Sequence, residues 1–181
     1  MYGAMNDRLT KSDWIAHGLR TLASSGAGAL KVGSMADALR VSRGSFYWHF
    51  DDVGDFKRQL LEGWRERATE RVIQELEKGA DRSNPLRHLL HRAFSQKHGL
   101  DRAVRLWAAD ENAVAAVVAS VDARRVDFIT ELLVASGAKP SEAPGRAKFI
   151  YWAYLGRSIA TGGHEAIDVA TLDGISALLE M

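Results

Sequence analysis

Val41-Ser42-Arg43-Gly44-Ser45-Phe46-Tyr47-Trp48-His49-Phe50 is the stretch whose reading decides the fold of this 181-residue chain. Ser42 suits a helix N-cap, because its hydroxyl can accept from the open N–H groups of a first turn. Val41 and Phe46 then hold the positions of a hydrophobic staple, and Phe46 and Phe50, four residues apart, share the core-facing side. With those rings inward, a helical wheel turns Gly44, Ser45 and Trp48 outward, with Tyr47 and His49 on the flanks. An ordinary solvent face would carry Lys, Glu and Gln. In a DNA major groove the composition makes sense. Gly44 lets the backbone approach, Arg43 can reach guanine O6/N7 or a phosphate, and the Tyr47 hydroxyl and His49 ring can donate to phosphates. The alternative packs Tyr47 and Trp48 against a neighbouring helix.

Upstream, a second short segment spans about 32–39, two or three residues from the first. Two such helices bury little on their own. Packed on a helix from Thr10 to about Ser25 they form a helix-turn-helix, with the segment from Ser42 as recognition helix. The first helix shows Trp14, Ile15, Gly18, Leu19, Leu22 and Ala23 on one face, and Thr10 with Asp13 resembles a capping box. Downstream, Val53, Phe56, Leu60, Trp64, Ala68, Val72 and Leu76 stripe a helix from about Asp52 to Lys78, roughly 40 Å long. Further helices are expected near 85–98, 101–109, 111–136, 142–161 and 168–180, punctuated by Gly79, Gly99, Gly137 and Gly162-Gly163. The expected fold is all-α with about nine helices. A three-helix head (1–56) is joined by the long fourth helix to a helical-bundle body (57–181).

Composition narrows the function. With no cysteine, disulfides and thiolate metal sites are excluded. Charges interrupt every apolar run before membrane length, and the N-terminal residues lack a secretory core, so a cytoplasmic location without a membrane partner is expected. The net charge of +1 is uneven: residues 1–50 carry six Lys/Arg against three acids, whereas 51–80 carry six against eight. A positive end on a neutral body suits a polyanion. His88 and His91 stand i, i+3, and His164-Glu165 lies near a glycine pair, but no His-Glu-x-x-His or Gly-x-Ser-x-Gly occurs. No catalytic residue, metal or cofactor is therefore assigned. A helical metal-using enzyme is the weakest alternative, and a dimeric interaction module with a vestigial helix-turn-helix the other.

The run from Val41 to Phe50, with Trp14-Ile15 through Leu22, Met35-Ala36 through Leu39 and the long helix behind, resembles the signature of the tetracycline-repressor (TetR) family over roughly residues 10–60. The resemblance implies a homodimer that binds a palindromic double-stranded DNA operator, as a repressor, and releases it when a small molecule enters the body. Carried over by position, its DNA contacts fall on Lys31, Ser34, Ser42, Arg43, Ser45, Tyr47 and His49. Gly44 and Trp48 join them from the helical wheel, and Lys57 as a basic residue early in the fourth helix. Four residues depart from the pattern: Lys31 replaces a threonine cap, Arg40 a turn glycine, Val53 a lysine and Phe56 a leucine. A left-handed Arg40 would cost about 1 kcal/mol, and loss of the lysine should weaken non-specific DNA affinity.

In the body, aromatic residues offer an apolar pocket for a hydrophobic effector, with Phe94, His98, Trp107, Phe128, Tyr151 and Trp152 as candidates. Core packing is the competing reading for each. Ala153, Gly156 and Ala160, with Ile159 beside them, form a small-residue strip where a second helix could approach, from the same chain or from a second copy.

Overall fold

Thr10 starts the first helix as the sequence suggests: its hydroxyl accepts from the Asp13 N–H while the Asp13 carboxylate accepts from the Thr10 N–H, closing a capping box. The computed structural model describes residues 9–78, 84–95, 99–159 and 167–180. Helix α1 (Lys11–Ser25) is followed by α2 (Val32–Ala38), α3 (Arg43–Tyr47), α4 (Val53–Arg65) and α5 (Arg71–Lys78). Then come α6 (Pro85–Ser95), α7 (Gly99–Asp110), α8 (Asn112–Ala135), α9 (Ala143–Ile159) and α10 (Val169–Glu180). Helices α4 and α5 are halves of one rod, so the described residues form nine helices and no strand, the all-α class expected.

Helix α7 begins at Gly99, two residues before the expected start, and two other features differ from the periodicity. Helix α3 ends at Tyr47, and the chain continues to Phe50 through single turns, with the Phe50 N–H still donating to the Phe46 carbonyl at 3.1 Å. The rod carries a π turn at Glu66–Glu70, where Arg71 N–H reaches back five residues to Glu66. That extra residue shifts the apolar stripe by one. Phe56, Leu60 and Trp64 are buried as a plain α-helix demands, but the next buried positions are Thr69 and Ile73, with Ala68 and Val72 only half-buried. Val53, at the head of the stripe, and Ala23 on α1 are exposed.

Two cores result. The first gathers Trp14, Leu22, Met35, Phe46, Phe56 and Trp64 from α1–α4 and continues into Val104 and Trp107 of α7 and Val114, Val118 and Val121 of α8. Its centre is a cluster of rings, with Phe46 5.4 Å from Trp14, 5.0 Å from Phe50 and 5.4 Å from Phe56. Gly18 makes the close approach possible: a Cβ there would lie 2.6 Å from Phe56 Cζ. The second core joins α6, the C-terminal half of α8, α9 and α10 around Leu86, Leu90, Leu133, Ile150 and Leu172. Helix α1 packs on α7, so the N-terminal helices rest directly on the bundle.

Candidate nucleic-acid interface and body cavity

The turn between α2 and α3 sets the direction of α3. Val41 N–H donates to the Ala36 carbonyl and Arg40 N–H to Asp37, the paired bonds of a Schellman motif, with Arg40 at φ 57°. The same motif ends α8, where Ala138 donates to Leu133, Gly137 donates to Val134, and Gly137 carries the positive φ of 107°. The chain thus builds one turn twice, once with glycine and once with an arginine that bears a Cβ in a left-handed conformation. Beyond the turn, Ser42 is the N-cap residue of α3 by backbone position, but its side chain makes no capping hydrogen bond.

Most of the outer face of α3 is exposed among the described residues. Tyr47 is 59% exposed, its ring edge against Phe46, and Trp48 is 81% exposed. Ser42, Arg43 and Gly44 are exposed and Ser45 half-buried. Lys31 and Ser34 are exposed at the start of α2. The Arg43 guanidinium crosses to α2, where a Cβ on Gly33 would lie 2.9 Å from it, so the starts of α2 and α3 present one surface. Two residues have partners within the chain. His49 Nε2 lies 2.9 Å from the Leu9 carbonyl, which can only accept, so Nε2 carries the hydrogen. Donation to a phosphate then falls to Nδ1, which bears a hydrogen only in the imidazolium. Lys57 points toward the body: its Nζ pairs with Glu111 at 2.9 Å and stands 5.4 Å above the Trp107 ring. This pairing holds the Glu111 carboxyl below its usual range, aided by the Trp107 N–H.

A cavity of about 230 Å³ lies in the body between the rod, α6, α8 and α9. Phe94, Phe128 and Tyr151 line it, as the sequence suggests for an effector. Trp107 does not; it belongs to the first core and donates to Glu111. Trp152 is 66% exposed on the outside of α9, because the cavity face of that helix is taken by Ile150, Tyr151 and Tyr154. His98 lies outside the described residues.

Sequence reasoning missed the polar floor of this cavity. Arg125 sends Nη1 to Asp101 at 2.7 Å, Nε to Thr69 Oγ1 at 2.9 Å and Nη2 to the Ala68 carbonyl at 3.2 Å. Asp101 also accepts from Trp64 Nε1 and from the Tyr154 hydroxyl, each at 2.7 Å. Burial alone would raise the Asp101 pKa, but the Arg125 charge and the hydrogen bonds from Arg125, Tyr154 and Trp64 prevail and hold it at about 2. Next to this group, Arg105 forks onto both Asp122 oxygens, and the Tyr151 hydroxyl donates to Asp122 at 2.6 Å. Burial pushes Tyr151 up to about 12, so both phenols remain donors at neutral pH. The signal in the sequence was the group Asp122, Arg124, Arg125 and Asp127 within a helix otherwise rich in Val and Ala.

Of the small-residue strip, Ala153, Gly156 and Ile159 are exposed, so no described helix covers them; Ala160 lies outside the described residues. Phe149, 67% exposed, and Trp152 extend the strip into an apolar face on α9, and Val169, Ile175 and Leu178 are exposed on α10. Among the described residues no group of His, Asp and Glu could hold a metal ion, and no helix is long and apolar enough to cross a membrane.

No protein-family model matches the chain, and no curated protein does. Solved structures do. SCO7518 from Streptomyces coelicolor A3(2), described as a transcriptional regulator, superposes with a TM-score of 0.68 at 18% identity, over 94% of this chain and 98% of its own. A TetR-family transcriptional regulator from Rhodococcus sp. gives 0.66 at 20% identity, over 94% and 99%. The chain has the TetR-family fold. Within that fold α3 is the third helix of the N-terminal unit, and the cavity lies in the bundle beside the rod.

Proposed function

We propose that the chain is a sequence-specific DNA-binding transcriptional regulator, acting as a repressor, that binds a palindromic operator as a homodimer and leaves it when a small molecule enters the body cavity. Residues 1–56 form the DNA-binding unit and 57–181 the ligand-binding and dimerisation unit. One observation carries the reading: on the side of α3 holding Ser42, Arg43, Gly44 and Tyr47, the described residues leave these positions exposed, Tyr47 with its apolar ring among them. Arg43, Lys31 and Arg40 surround it with positive charge. Support for a second copy comes from the apolar face of α9 and α10, and from geometry, since one short helix reads only a half-site and two must sit about 34 Å apart.

The coupling is mechanical. The π turn of the rod forms one wall of the cavity, and α4, ahead of it, carries Phe56 and Leu60 into the core that seats α3. A ligand that moves the turn shifts the recognition helix, and by linkage operator DNA weakens ligand binding by the same factor. Selection of bound sequences from a random DNA pool tests the reading. A palindrome with half-sites one helical turn apart is expected, with Arg43→Ala relaxing one base position; a pool without enrichment refutes it.

A further inference from the structure

The wall of the body cavity is unevenly charged. It holds three guanidiniums, Arg67, Arg92 and Arg125, and one carboxylate, Asp101. Asp101 is committed to Arg125, with Trp64 and Tyr154 on its remaining lone pairs. Glu75, from outside the wall, pairs with Arg92. Arg67 alone has no hydrogen bond or ion pair among the described residues, and it stands exposed at the cavity mouth on the π turn. The hydroxyls of Thr69, Tyr151 and Tyr154 also line the wall but are engaged with Arg125, Asp122 and Asp101, and elsewhere it is apolar, with Val72, Ile73, Leu89, Phe94, Phe128 and Ile129.

We infer that the cavity takes a compact apolar monocarboxylic acid, its chain or ring against the aliphatic wall and its carboxylate on Arg67; this rests on the effector reading above. An ammonium would meet a positive mouth with no carboxylate to spare. A dianion would bring a second charge into the cavity without a partner, which is costly. A carboxylate fits, because its two oxygens match the guanidinium fork. Size agrees: an apolar cavity near 150 Å³ holds benzene, so about 230 Å³ suits about ten heavy atoms. The anchor also explains how binding reaches the rod. Arg67 precedes Ala68 and Thr69, whose carbonyl and hydroxyl already bond Arg125, so a charge drawn to Arg67 acts on the segment where the helix register shifts.

Calorimetric titration of the full-length, DNA-free protein tests this with octanoate and 3-phenylpropanoate against the neutral octanamide and 3-phenylpropanamide. Tryptophan emission serves as a second readout, because Trp64 touches the floor. The acids should bind at least about fivefold tighter than their amides, and Arg67→Gln should erase that difference while leaving amide affinity unchanged. Equal binding of acid and amide, survival of the difference in Arg67→Gln, or no binding of either acid at millimolar concentration each overturns the inference. Operator retention by the same protein is measured separately. Acid that binds through Arg67 without releasing operator keeps this inference and refutes the effector reading, whereas failure to select any operator leaves the titration intact as a test.

Discussion

Asp101→Asn removes one charge from the buried pair while keeping size and an acceptor for Arg125. Both side chains are nearly closed to solvent, 6% exposed for Asp101 and 11% for Arg125, so screening is weak. Asp101 is held at about 2, against a usual 3.8. At about 1.36 kcal/mol per unit, that difference favours the charged form by about 2 kcal/mol. Leaving Arg125 with no counter-charge is costlier still, and breaking one side of a buried pair typically costs about 3–5 kcal/mol. The variant should therefore lose about 3–5 kcal/mol in urea unfolding at pH 7. Because the carboxyl pKa is depressed on folding, its contribution is full above about pH 4 and fades as pH falls toward 2. The gap between wild type and Asp101→Asn should narrow over that window. Adding Arg125→Met should recover part of the loss, since both charges then leave together. A single variant within about 0.5 kcal/mol of wild type at pH 7, or a gap unchanged between pH 4 and 2, would refute the account of the pair.

Two further outcomes test the interface and the dimer face. Arg40→Gly relieves a left-handed Cβ, worth about 1–2 kcal/mol, but frees the unfolded backbone by about 0.5–1 kcal/mol, so thermal unfolding should show a gain of about 0.5 kcal/mol. A destabilised glycine variant would contradict strain at φ 57°. Trp152→Glu places a charge on the exposed face of α9 and should give monomers in sedimentation with unchanged thermal unfolding of the subunit and much weakened operator binding. A variant still dimeric at micromolar concentration would move the dimer interface elsewhere.

How much was legible beforehand varies along the chain. Local rules described the N-terminal third well. The Thr10–Asp13 capping box and the inward Phe46 and Phe50 follow from capping chemistry and helical period, each acting over a few residues, whereas the left-handed Arg40 was suggested only by the resemblance to a family with glycine there. The π turn was invisible, because Glu66–Glu70 carries nothing that a regular helix would refuse. Lys57 and His49 read as basic groups near a duplex. Their partners, Glu111 and the Leu9 carbonyl, lie 54 and 40 residues away, beyond any local pattern. Among the aromatics, periodicity placed Phe128, Tyr151 and Trp152 on helices but could not say which helix face meets the cavity and which meets solvent.

By itself, the order of residues determined that this chain is helical throughout, where its helices start, and that the segment from Ser42 has two chemically distinct sides. Those properties arise from hydrogen bonds and side-chain spacing within one or two turns. Only the tertiary structure decided that Asp101, Arg125 and Tyr154 meet at one floor, that Arg67 has no partner among the described residues at the mouth, and that α9 turns Tyr151 in and Trp152 out. Such meetings depend on how whole helices rotate and cross when they pack, and no short window of sequence records that rotation.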